Sequence, residues 1–119
     1  MILITKLVVM VVAILHSYFL VLEMFLWDKP AGLKTFGHTL EHAQATKVLA
    51  ANQGLYNGFI VAGLLWGVIL GADGYGIKVF FLLCVVIAGV FGGVSANRKI
   101  LYVQALPGLV GLLLVLAFH

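Results

Sequence analysis

The stretch LVVMVVAILHSYFLVLEMFLW, residues 7–27, decides how this chain must be read. It is apolar on every side of a helix, so it has no solvated face. An α-helix rises about 1.5 Å per residue, so this run matches the roughly 30 Å hydrocarbon core of a bilayer. Two residues in it are out of character, His16 and Glu23. No small-residue cleavage site follows, and Glu23 interrupts the far end. The run therefore reads as a retained membrane helix and not as a secretory signal.

The rest of the chain agrees. Of its 119 residues 64% are hydrophobic and 9% charged, and the mean hydropathy is +1.20. A water-soluble domain carries about a quarter charged residues. This chain cannot cover itself in that way, so its solvent and first partner is the lipid bilayer. The net charge of +3 is spread thinly, without a basic stripe, which argues against nucleic-acid binding. The single cysteine, Cys84, sits in an apolar run and reads as a small buried hydrophobe.

Three more runs reach bilayer length, residues 48–70, 77–94 and 100–118. The expected fold is an all-α integral membrane four-helix bundle, up-down-up-down. It forms a single four-span domain with helices at about 3–27, 40–70, 77–95 and 100–118. The connections GADGYG (residues 71–76) and SANRK (residues 95–99) are short, polar and rich in turn formers. The first connection is longer, with Pro30 and Gly32 breaking the chain after the first span. Thr39 is the expected N-cap of the second helix, with Glu41 in its first turn. Pro107 and Gly108 are expected to kink the fourth. Trp27, Tyr102 and Trp66 suit interfacial anchoring.

Lys29, Lys34, Lys47, Arg98 and Lys99 flank the first and third connections, whereas Lys6 and Lys78 lie on the other side. This bias of five to two places connections 1 and 3 in the cytoplasm and both termini outside, in a bacterial cytoplasmic (inner) membrane.

Polar residues inside spans are costly and each needs a reason. His16 and Glu23 lie two turns apart on nearly one face of the first helix, separated by about 10 Å along its axis. The second span carries Asn52, Gln53, Tyr56 and Asn57, and the fourth carries Gln104. Counted from the flanking charges, Glu23, Asn52, Gln53 and Gln104 fall at similar depth in one leaflet, with His16 and Asn57 deeper. This outlines a polar pocket between the first, second and fourth helices for an unknown small ligand. The alternative is that these groups merely hydrogen-bond helix to helix. No catalytic constellation, metal site or cofactor motif is expected.

Ala50, Gly54, Gly58 and Ala62 recur every four residues in the second span, and Ala88, Gly89, Gly92, Gly93 and Ala96 line the third. Small residues let helices approach closely. These two spans are therefore expected to pack tightly on each other, or to form part of a homo-oligomer seam.

The stretch GHTLEHAQATK (residues 37–47) contains H-x-x-E-H, the pattern of inverted zinc proteases. If Thr39 is the N-cap, His38 lies outside the helix and does not share a face with His42. A third protein ligand is also needed. The stretch reads better as a helix start at the membrane surface.

HSYFLVLEMFLW (residues 16–27) and ATKVLAANQGLYNGF (residues 45–59), with the four-span layout, resemble a family of small bacterial membrane proteins of unknown function, the domain-of-unknown-function family 1304. The resemblance covers nearly the whole chain and implies a four-helix membrane fold. It implies that Glu23, Asn52, Gln53, Tyr56 and Asn57 belong to the family's character, and it supplies no activity. Two further likenesses frame the functional alternatives. A first-helix carboxylate in a short four-span chain is similar to the small multidrug-resistance exporters, which exchange protons for a cation. The spacing of Asn52 and Tyr56 is similar to the membrane proteins of eicosanoid and glutathione metabolism. Those use arginines on that helix, whereas the only arginine here is Arg98. Binding or transport leads, a structural or accessory role follows, and an enzyme comes third.

Overall fold

The computed structural model describes residues 1–119. It contains helices and no strand: α1 (Ile2–Met24), α2 (Pro30–Phe36), α3 (Leu40–Ile69), α4 (Tyr75–Ser95) and α5, which opens with a π-helical turn (Leu101–Ala105) and continues as Leu106–Phe118. Four of these segments are long and apolar enough to cross a membrane. Most of their large apolar side chains face outward, among them Ile69, Val94 and Val48. In water that surface would be prohibitive, whereas in lipid it is the solvated face. The all-α four-span architecture expected from the sequence is present.

The chain divides into two compact units. One comprises Met1–Leu15 and Ala62–His119, the other His16–Val61. α1 and α3 each contribute residues to both units, α3 chiefly to the second.

In the first unit the core is Val9, Val12, Leu64, Leu82, Val85, Leu112 and Val115, all nearly inaccessible. Glycine sets its helix spacing. The position a Cβ would take on Gly89 lies 2.6 Å from the Ala105 nitrogen, and that on Gly108 lies 2.6 Å from a Val85 methyl. Gly93 meets Leu101 in the same way. These pairs give α4 and α5 an antiparallel register. Gly63 faces the Phe81 ring and Gly67 faces Lys78, which runs the C-terminal half of α3 against the start of α4.

The turns follow from local chemistry. Gly71, at φ +61°, ends α3 in the left-handed region that favours glycine. A short 3-10 turn, Gly71–Gly74, then leads directly into α4, which begins two residues earlier than the breaker-rich sequence implied. After α4, the Asn97 carboxamide oxygen accepts the Lys99 N–H at 2.9 Å and the chain re-enters helix. The expected disturbance at Pro107 is a π-helical turn just before it. Pro107 has no N–H to donate and its ring crowds the carbonyl four residues back. The backbone there widens, so that the Leu106 N–H bonds the Leu101 carbonyl.

In the second unit α1 ends at Met24, short of the expected residue 27. The Leu26 N–H reaches back to the Val21 carbonyl at 3.2 Å, and this wide turn closes the helix. Pro30 does not only break the chain. It starts α2, because proline suits the first helical position, where no N–H partner is lost. Gly32 is buried with the Leu26 and Trp27 carbonyls where a Cβ would stand. Gly37, at φ +66°, closes α2 by donating its N–H to the Leu33 carbonyl. Thr39 then caps α3 as the sequence implied, its Oγ1 accepting the His42 N–H at 3.1 Å.

Candidate functional site

The second unit holds the carboxylate of α1. Glu23 sits on the last turn of α1, half-buried. Asn57, on α3, donates from Nδ2 to Glu23 Oε1 at 2.5 Å. What brings them together is the small-residue groove of α3. A Cβ on Gly54 would stand 3.2 Å from the Leu20 carbonyl oxygen and 3.3 Å from Glu23 Cβ, and one on Gly58 would stand 3.1 Å from a Leu20 methyl. Ala50 is buried on the same stripe. The groove is therefore occupied by α1. This corrects the expectation that it packs against the small residues of the third span. Those residues, Gly89, Gly92 and Gly93, lie instead on Ala105, Ile100 and Leu101. The physical reason is that a small-residue stripe specifies a close neighbour but not which one.

His16, two turns before Glu23, is 1% exposed. Its ring stands edge-on to Phe19, with centroids 5.6 Å apart. Asn52, Gln53 and Tyr56 are exposed on α3. The Tyr56 ring stands 5.9 Å, centroid to centroid, from that of Phe59. Gln104 lies half-buried in the π-helical turn of the other unit. Of the seven candidates, then, the structure joins Glu23 to Asn57, places His16, Asn52, Gln53 and Tyr56 in the same unit, and puts Gln104 in the other.

Around α2 and the start of α3 this unit holds a second cluster, which the sequence did not announce. The Trp27 indole N–H donates to Thr46 Oγ1 at 3.0 Å, and that hydroxyl donates to the His42 carbonyl at 2.8 Å. The Trp27 ring stands 4.8 Å from Phe36 and 4.4 Å from His38. His38 Nε2–H donates to the Trp27 carbonyl at 3.2 Å. The Lys47 ammonium meets the Asp28 carboxylate at 3.1 Å. This hydrogen bond, reinforced by the lysine charge, holds the Asp28 carboxyl below its usual range. Thr46 is the residue the sequence reading missed. Its hydroxyl lies seven residues into a membrane helix, which is an ordinary place for threonine, so nothing in the sequence marked it.

The H-x-x-E-H stretch also looks different once folded. His38 lies outside α3, yet its ring centroid is 5.7 Å from that of His42. The left-handed turn at Gly37 folds the chain back and brings the rings together despite the helix boundary. No group of three or more His, Cys, Asp or Glu side chains gathers in a metal-binding arrangement.

Two clefts occur in the first unit. One, of about 160 Å³, is lined by residues that include Thr5, Lys6, Lys78 and His119. The other, of about 560 Å³, is lined by Gly93, Arg98, Tyr102 and their neighbours. None of the seven candidate residues lines either cleft.

Comparison with known proteins places the molecule. It is 28% identical over 120 residues to the uncharacterized protein YpaA of Lactococcus lactis subsp. lactis (strain IL1403), covering 99% of each chain. No solved structure matches it. Residues 10–116, which hold every candidate side chain above, match the model of the family described as protein of unknown function (DUF1304), and the chain belongs to that family.

Proposed function

We propose that the protein binds or transports a proton or a small cationic ligand at Glu23, in the bacterial cytoplasmic membrane with the first and third connections inside. The observation that carries this reading is the Asn57-to-Glu23 hydrogen bond between two membrane helices. An ionised carboxylate in a low-dielectric region is costly, and evolution keeps such groups chiefly for ion and proton pathways. Asn57 uses one donor on one oxygen. The second oxygen is left for a proton or a ligand cation. His16, on the same helix two turns deeper, is a candidate second proton carrier.

Purified protein in sealed vesicles carrying an internal pH dye tests the reading. Lipophilic cations are offered from outside. Ligand-dependent proton movement is expected for the natural chain and is expected to be lost in Glu23→Gln. Equal proton movement and equal ligand binding in the two proteins would sink the proposal.

A second reading has its own support. The same hydrogen bond, with the close contact at Gly54, also ties α1 to α3, as a structural or accessory protein would require. In that case Glu23→Gln changes stability and no flux.

A further inference from the structure

One face of α3 has no partner within the chain. Ala45, Leu49, Asn52, Tyr56 and Phe59 follow one another at spacings of four, three, four and three residues. That is the seam of a left-handed helix pair with knobs-into-holes packing. All five are exposed, with Leu49 at 67%, Tyr56 at 56% and Phe59 at 55%. The opposite face of the helix, with Ala50, Gly54 and Gly58, is already filled by α1.

The seam is not simply lipid-facing. Asn52 sits five residues beyond Lys47, the last charge before Asp73. This is about 7 Å along the helix into the uncharged stretch. Its amide has two donors and an acceptor that acyl chains cannot satisfy. The Tyr56 hydroxyl, one turn deeper, is in the same position.

The geometry points to a second copy of this chain as the occupant, its α3 parallel to the first across a two-fold axis along the membrane normal. Such an axis brings each seam residue opposite itself at the same depth. A carboxamide is self-complementary, since its N–H can donate to the oxygen of its twin. Asn52 then meets Asn52 of the other copy, and the polar seam position fixes both register and the number of chains, as one buried asparagine does in a coiled coil. Leu49 and Phe59 pack on either side of it. This inference is independent of the Glu23 reading, because Glu23 faces α1's own partner surface and is not on the seam.

The test uses the full chain with Cys84→Ala in lipid vesicles. Single cysteines replace Leu49 or Phe59 on the seam, or Ile14 or Phe91, which are as exposed but lie on other helices. None of the four is in the core, and circular dichroism checks that each variant keeps its helix content. Oxidation is expected to give covalent dimers at positions 49 and 59 well above those at 14 and 91. Energy transfer between labelled copies, followed on dilution with lipid, is expected to show association about threefold to tenfold weaker for Asn52→Leu, in line with one intramembrane hydrogen bond. It is expected to be unchanged for Glu23→Gln. Cross-linking no stronger on the seam than at 14 and 91, a monomer or a higher oligomer in nanodiscs, or a different protein held on this face would overturn the inference.

Discussion

The Asn57 amide on α3 donates to the Glu23 carboxylate on α1, across 34 residues of sequence. That one bond joins the carboxylate of α1 to the middle of α3. Removing its donor leaves the carboxylate without its protein partner. Asn57→Leu is therefore expected to lower stability by about 1–2 kcal/mol, the range for intramembrane hydrogen bonds and for stranded polar groups. Glu23→Gln keeps an acceptor for Asn57 and should cost less. Thermal unfolding of both variants in detergent checks the order, and a larger loss for Glu23→Gln would contradict it.

The glycines predict unequal outcomes for the same change. A Cβ at Gly89 would meet the Ala105 backbone nitrogen and Cα at 2.6 and 2.8 Å, and backbone cannot step aside. At Gly54 the nearest atom belongs to the flexible Met24 side chain. Gly89→Ala is expected to destabilise by about 1–3 kcal/mol, as overpacking does, and Gly54→Ala by less. Parallel denaturation curves decide it, and equal losses would count against the register of α4 and α5.

Acid should loosen the surface end of the second unit first. Lys47 holds the Asp28 carboxyl below its usual range. Such a group contributes stability above its unfolded value of about 3.9, and the contribution is lost as pH falls through the lowered value. Trp27 adjoins Asp28, so in a Trp66→Phe background its fluorescence is expected to shift on acidification below about pH 4. Asp28→Asn should show the shifted signal already at neutral pH. An unchanged acid response in that variant would contradict the assignment.

The charge bias makes a topological prediction. Alkaline phosphatase, active only outside the cytoplasm, is expected to be active when fused after His119 and inactive when inserted in the Ser95–Lys99 turn. The reverse pattern would invert the orientation and move Lys47 and Asp28 to the outer side.

Much of this was legible in the residues. Four apolar runs of bilayer length could be read as helices able to cross a membrane, and Thr39 could be named as a cap because its side chain acts within four residues. α2 was not legible, because Pro30 and Gly32 look like breakers until the neighbouring carbonyls show why one starts a helix and the other must lack a side chain. The destination of the Gly54 stripe was equally hidden, since smallness allows approach from any helix.

By itself the sequence determined that the chain forms four helices long and apolar enough to cross a membrane, because runs of bilayer length with few charges satisfy their backbone groups within one helix. It also determined which polar side chains are out of place there. Only the tertiary structure decided that Glu23 belongs to Asn57, that α1 fills the α3 groove, and that Asn52 and Tyr56 are left facing outward. Those are questions of which surfaces meet, and helix pairing rests on close contacts between residues far apart in the chain, which no local pattern encodes.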